Sequence, residues 1–183
     1  NKPNQEGLYR HFSAVADIGL PVVLYNVPGR TSRAIDVETV VRLAGHENIV
    51  AIKDAGGDVS RVSRILEGCD LTVLSGDDPM TIPMMMVGAH GVISVASNVI
   101  PAEVATMVRA AAEGDWDQAV ALHARFYALF RDLFIDTNPI PVKAAMAMLD
   151  LIPAVYRLPL CPLSEDHAAR LRGILEKAGV GHE

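Results

Sequence analysis

A lone lysine closes an otherwise apolar run, Asn48-Ile49-Val50-Ala51-Ile52-Lys53, and Asp54-Ala55-Gly56-Gly57 follows at once. Apolar residues, β-branched in part and bounded by a glycine pair, read as a buried parallel strand. An ammonium at the end of such a strand is poorly solvated, and a desolvated amine is what Schiff-base chemistry on a ketone or aldehyde requires. The alternative is a lysine that snorkels into water, and its neighbours decide between the two. Tyr25 ends a second apolar run, Val22-Val23-Leu24. In adjacent parallel strands, positions at the same end come close laterally. A phenol there can both donate and accept the protons that carbinolamine formation and dehydration move, or it can be a tyrosine with buried ring and wet hydroxyl. Arg30 lies five residues on, after a Pro-Gly turn. Its guanidinium fork suits a substrate carboxylate, or it is simply a solvated loop arginine. Gly76, within Ser75-Gly76-Asp77, lets backbone approach a small ligand closely.

Positioning these groups falls to a repeating strand-turn-helix pattern over the first hundred residues. A helix from about Gln5 to Asp17, capped by Asn4 and stopped by Gly19, leads into a strand from Pro21 to Val27. After a loop through Pro28-Gly29-Arg30-Thr31 comes a helix from Val37 to Ala44 with Asp36 as N-cap. Beyond the Lys53 strand, Asp58 caps a helix from Val59 to Glu67. A strand from Leu71 to Leu74 precedes a helix with Asp78 as N-cap and Pro79 at its first position, running to Val87. A fourth strand spans Gly91 to Ala96. Strands starting near residues 21, 49, 71 and 91 are spaced as βα units, and their uniformly apolar character predicts cover on both faces. No Gly-rich dinucleotide fingerprint follows any of them. The unusual residues gather at the strands' C-terminal ends, the layout of a (β/α)8 barrel, of which four strands are half.

The remainder reads as helical: Pro101 to Gly114, Trp116 to about Phe134 with Asp115 as cap, Asn138-Pro139-Ile140-Pro141 to about Leu149, and a last helix to Ala178 capped by Ser164. Trp116, Ala119, Val120, His123, Phe126, Tyr127, Phe130 and Phe134 form an apolar stripe expected to be core or subunit contact. The predicted fold class is α/β. Residues 1–100 form the C-terminal half of a (β/α)8 barrel, and residues 101–183 hold the last barrel helix plus a helical extension.

Composition narrows the function. Of 183 residues 50% are apolar, enough for a sizeable core, and a net charge of −6 with no Lys/Arg cluster argues against nucleic acid. No apolar stretch approaches membrane-spanning length. Cys69 and Cys161 cannot build a disulfide framework, which points to reduced thiols in the cytoplasm. His11, His46, His90, His123, His167 and His182 are scattered singly, with no CxxC or His pair at ligand spacing. The chain opens Asn1-Lys2-Pro3-Asn4, as though within a loop, and is expected to be the C-terminal part of a longer polypeptide.

The strings Leu24-Tyr25-Asn26-Val27-Pro28-Gly29-Arg30-Thr31, Ile52-Lys53-Asp54, Leu74-Ser75-Gly76-Asp77-Asp78 and Gly91-Val92-Ile93-Ser94-Val95 together resemble the dihydrodipicolinate synthase (4-hydroxy-tetrahydrodipicolinate synthase) family of pyruvate-dependent class I lyases. Asn138-Pro139-Ile140-Pro141-Val142-Lys143 and Arg157-Leu158-Pro159-Leu160 are similar to that family too. The resemblance implies that Lys53 forms an imine with pyruvate and that Tyr25 belongs to the proton relay and contacts the carboxylate. Arg30 would shape the mouth and meet the carboxylate of aspartate semialdehyde, while Gly76 and Ile93 would line the pyruvate pocket. The reaction implied is an aldol-type condensation followed by cyclisation, the first committed step of lysine and diaminopimelate synthesis, with no metal or organic cofactor, in a homo-oligomer (tetramer or dimer). Arg30 separates this subfamily from N-acetylneuraminate lyases and keto-deoxy-sugar acid aldolases, which generally lack an arginine there and remain the alternative, beside a non-catalytic fragment. The family's four earlier strands, its Gly-Thr-Thr-Gly-Glu segment, a second tyrosine and the lysine-binding allosteric pocket have no counterpart here. The chain alone is therefore expected to expose the apolar inner face of its strands and to be inactive.

Overall fold

The computed structural model describes residues 2–181, so Asn1 at the chain's opening and His182 among the histidines lie outside them. Two compact units divide the chain, one through Ile93 and one from Ser94.

The first unit alternates strand and helix. Helix α1 (Gln5–Ala16) starts where Asn4 Oδ1 accepts from the Gly7 N–H at 2.8 Å. It is followed by β1 (Val22–Asn26), a single turn α2 (Pro28–Thr31), α3 (Val37–Ala44), β2 (Ile49–Asp54), α4 (Ser60–Gly68), β3 (Thr72–Ser75), a 3₁₀ turn (Asp78–Met80), α5 (Thr81–Met86) and β4 (Gly91–Val92). The strands are parallel and ordered β1-β2-β3-β4, each beside its sequence neighbour. That succession is the one four βα units of a barrel must give.

Strand alternation sorts the residues onto two faces. On one, Leu24, Ile52 and Val73 lie in register, with Asn26, Asp54 and Ser75 the next row toward the C-terminal ends, and all six are buried. The apolar residues of α3 (Val37, Val40, Leu43) and α4 (Val62, Ile65) are buried in the same layer, each large side chain contributing about 1.5–3 kcal/mol by leaving water. The opposite face carries Val23 and Tyr25, exposed at 44% and 41%, and beside them Lys53 and Leu74, partly open. The expected cover on both faces is thus incomplete among the described residues: toward the C-terminal ends of the strands one face is covered, while on the other Ala51 is buried but Val23 and Tyr25 stay open. The exposed inner face expected of four strands is the one seen.

Local departures from the sequence reading have local causes. Pro28–Thr31 is a turn of helix rather than loop, closed by Thr31 N–H to Val27 carbonyl and by Ser32 in the left-handed region at φ 54. Asp36 occupies its N-cap position without a side-chain cap. Asp77, not Asp78, holds the position before the 3₁₀ turn. The fourth strand ends at Val92 instead of Ala96, because Ser94 draws the chain into a turn: its Oγ accepts from Ser97 N–H at 2.8 Å and a 3₁₀ turn spans Ala96–Asn98.

The second unit is helical: α6 (Pro101–Glu113), α7 (Trp116–Asp132), α8 (Ile140–Met148) and α9 (Glu165–Ala178). Gly114 and Gly179 end α6 and α9 in the left-handed conformation, and Asp115 and Ser164 cap α7 and α9 through their side chains. Of the expected stripe, Ala119, Phe126 and Phe130 are buried, whereas Val120 and Tyr127, and Phe134 just past the end of α7, stand 43–48% exposed. Asp132, wholly buried, receives Arg131 Nε at 2.6 Å and Arg170 Nε and Nη2 at 2.6 and 2.9 Å, tying α7 to α9.

Candidate active site

The register puts Tyr25 opposite Lys53, and Lys53 opposite Leu74, on the open face at the C-terminal end of the sheet. Lys53 Nζ stands 4.2 Å from the centroid of the Tyr25 ring. Its chain passes over Gly76, where an added Cβ would lie 2.9 Å from Lys53 Cε, 3.1 Å from Lys53 Cγ and 2.9 Å from Ala55 Cβ. Glycine leaves room there, because a side chain would press into the volume the lysine fills. Tyr25, Lys53 and Gly76 therefore meet directly. Ile93 joins through the ladder, its N–H donating to the Ser75 carbonyl at 2.9 Å and its side chain 42% exposed. Arg30 stands exposed on α2, the turn after β1.

Past Gly76 the turn is stitched by Ser75, whose hydroxyl donates to the Asp77 carbonyl at 2.8 Å and accepts from the Asp77 N–H at 3.1 Å. Burial, with the nearby charge of Asp78, pushes the Asp77 carboxyl above the ordinary aspartate value. A carboxyl more readily protonated than usual thus sits one residue from the glycine.

Behind the site, on the helix-covered face, lies a polar cluster that the sequence reading missed. Asp54 Oδ2 accepts from Asn26 Nδ2 at 3.0 Å and from Arg61 Nε at 2.9 Å, while Oδ1 accepts from the Gly56 N–H at 2.9 Å. Arg61 is 12% exposed and Asp54 2% exposed, so the pair is screened little by water. Asn26 and Asp54 follow Tyr25 and Lys53 in sequence, and that shared offset was the available signal. Arg61 gave none without the path of α4.

Among the described residues, no group of three or more His, Cys, Asp or Glu side chains is gathered where it would hold a metal ion, and no helix is long and apolar enough to cross a membrane.

Comparison with known proteins gives a consistent answer. The dihydrodipicolinate synthetase family pattern matches residues 1–178. The 4-hydroxy-tetrahydrodipicolinate synthase of Methanosphaerula palustris is 51% identical over 178 residues, covering 96% of this chain and 61% of that protein. The crystal structure of dihydrodipicolinate synthase from Aquifex aeolicus superposes with a TM-score of 0.97 at 46% identity, covering 100% of this chain and 64% of that one. The chloride-inhibited synthase of Acinetobacter baumannii, solved complexed with pyruvate, gives a TM-score of 0.95 at 44% identity over 98% of this chain and 63% of its own. The chain spans about three fifths of the length of the curated relatives it matches. At this level of likeness the four parallel strands and their helices are those of the synthase barrel, with the helical extension following.

Proposed function

This chain belongs to the dihydrodipicolinate synthetase family, and we propose that it carries the imine-forming half of a synthase site, with Lys53 attacking pyruvate. The single observation that carries this reading is Lys53 beside Tyr25 at a strand end, its alkyl chain laid over a glycine that leaves it room. The amine adds to the C2 carbonyl of pyruvate, giving a carbinolamine that loses water to the imine. Tyr25, whose ring centroid lies 4.2 Å from Lys53 Nζ, is assigned to pass the protons that these steps release and consume. Loss of a proton from C3 gives an enamine, which bonds to the aldehyde carbon of aspartate semialdehyde. The amino group of that substrate then displaces Lys53 and closes the ring. Arg30, exposed on α2, is assigned to the carboxylate of the semialdehyde. Gly76 and Ile93 border the pyruvate subsite.

Natural function in this reading is the condensation that opens lysine and diaminopimelate synthesis, carried out in the cytoplasm by a homo-oligomer. The division of the chain into barrel units over residues 1–100 and helices over residues 101–183 is retained as part of the proposal. The test is reductive trapping of the natural protein with pyruvate and borohydride, followed by peptide mapping. The reduced pyruvyl group is expected on Lys53, and Lys53→Arg is expected to take none, because a guanidinium cannot form the imine. Label on another lysine, or stoichiometric label on Lys53→Arg, would overturn the assignment.

A further inference from the structure

The polar cluster on the covered face does more than fill a strand end. The chain leaves β1 after Asn26, carries Arg30 outward on α2 and returns at Ile35, buried at 3% exposure. At that return four consecutive backbone groups are each held by a side chain. Gln5 Nε2 donates to the Ala34 carbonyl at 3.0 Å, and the Asp36 N–H donates to Gln5 Oε1 at 3.0 Å. Between them, the Ile35 N–H donates to Asn26 Oδ1 at 3.0 Å and the Ile35 carbonyl accepts from Arg61 Nη2 at 2.9 Å. Asn26 Nδ2 and Arg61 Nε both donate to one partner, the carboxylate of Asp54.

We propose that Asn26, Asp54 and Arg61 act as a clamp that sets the height of the Arg30 segment against the lysine strand, and that they are positioning residues for the second substrate. The inference rests on the lyase reading above. Its logic is geometric. Lys53 is held by the strand ladders on both sides of β2 without help from Arg61. The Arg30 segment lies beyond β1, past the end of that ladder, and its return is fixed by side chains. One carboxylate bonded to both Asn26 and Arg61 makes the clamp a unit, so loss of one member loosens the other. The packing leaves no slack: a Cβ on Gly56 would lie 3.0 Å from both Asn26 Nδ2 and Asp54 Oδ1.

The natural protein and its Arg61→Gln, Arg61→Lys and Gly56→Ala variants are to be compared by three measurements. Amide exchange over residues 27–36 reads the clamp itself, borohydride-trapped pyruvate reads Lys53, and kcat/KM for aspartate semialdehyde reads the second substrate. Arg61→Gln is expected to speed exchange in the segment about tenfold or more, as local opening becomes easier. It is expected to lower kcat/KM for the semialdehyde at least ~10-fold, mainly through KM, with pyruvate trapping within about threefold of natural. Arg61→Lys, which keeps the charge without the fork, is expected to recover part of the loss. Unchanged exchange in the segment would overturn the clamp, and so would trapping and turnover that fall in the same proportion. If Arg61→Gln does not fold, Gly56→Ala presses on the same hydrogen bonds without removing a charge and is judged by the same criteria. Should the natural protein take no label from pyruvate, the lyase reading fails, while the exchange result still decides whether the clamp exists.

Discussion

Replacing Gly76 by alanine is the sharpest probe of the site, because the structure says which neighbour must yield. The new Cβ would meet Lys53 Cε and Ala55 Cβ, each at 2.9 Å. Carbon atoms rest at about 3.5–4.0 Å, so roughly 0.6–1.1 Å must be found. Ala55 is stiff: its Cβ is fixed to backbone whose N–H is bonded to the Asn26 carbonyl at 2.9 Å. Lys53 has four side-chain torsions and an open side, so the lysine moves. Displacing a reacting group by ~1 Å costs on the order of 10²-fold in rate. Overpacking costs ~1–3 kcal/mol where side chains cannot give; the lysine's movement relieves its own contact, but the unyielding Ala55 contact puts this change toward the upper end. The assay is the rate of borohydride-trapped pyruvate adduct, run beside a thermal melt. Gly173→Ala serves as control, since nothing lies within 4 Å of its added Cβ. As a helix glycine far from the lysine in sequence, it should gain ~0.5–1 kcal/mol of stability and label normally. Labelling of Gly76→Ala at the natural rate would refute the packing argument. Labelling that declines only as far as the folded fraction declines would refute the displacement of the lysine.

Three further outcomes are expected. Arg30→Ala should lower kcat/KM for aspartate semialdehyde by the worth of a charge-assisted pair, ~1.5–3 kcal/mol or about 10- to 150-fold, with pyruvate trapping retained; equal loss of both would make Arg30 structural or a pyruvate ligand. Asp132→Asn should destabilise the helical unit by ~1.5–3 kcal/mol at neutral pH in chemical denaturation. Burial opposes the Asp132 charge, but the hydrogen bonds from Arg131 and Arg170 outweigh it and hold the carboxyl below the ordinary aspartate value. A depressed folded value means that this stabilisation is present above about pH 4 and lost as pH falls through the lower folded value, so the gap between natural and variant proteins should narrow as pH is taken down through about 4 and below. A gap independent of pH would refute that pairing. Finally, the 183 residues expressed alone should self-associate and show no synthase turnover, since Val23, Tyr25 and Ile93 are 41–44% exposed on an open-edged sheet. A soluble, fully active monomer by size exclusion would contradict this.

What could be read in advance followed the range of the interactions. Asn4, Asp115 and Ser164 cap helices through bonds within three residues, and Gly114 and Gly179 end them by backbone freedom alone, so these boundaries were legible. Lys53 stood out because a charge breaks an apolar run. The fourth strand was misjudged because Ile93 and Val95 are good strand formers, while Ser94 and Ser97 offer local hydrogen bonds that outcompete a ladder with one neighbour. The clamp was invisible for another reason. Asn26 and Asp54 are 28 residues apart, and only the register of β1 on β2 makes them partners.

The alternation along β1, β2 and β3 also has a consequence for how such a protein changes over time. At the ends of β1 and β2 the residue proposed to meet the reactant and the residue buried in the framework are sequence neighbours: Tyr25 with Asn26, Lys53 with Asp54. A single-nucleotide change at one leaves its neighbour untouched, so on the lyase reading substrate preference can drift at Leu74, beside Lys53, while the buried row of Asn26, Asp54 and Ser75 preserves the shape. A library aimed at new carbonyl substrates should therefore randomise open-face positions other than Lys53 and Tyr25, sparing the buried ones. Randomising consecutive positions would spend most of its members on chains that have lost their scaffold.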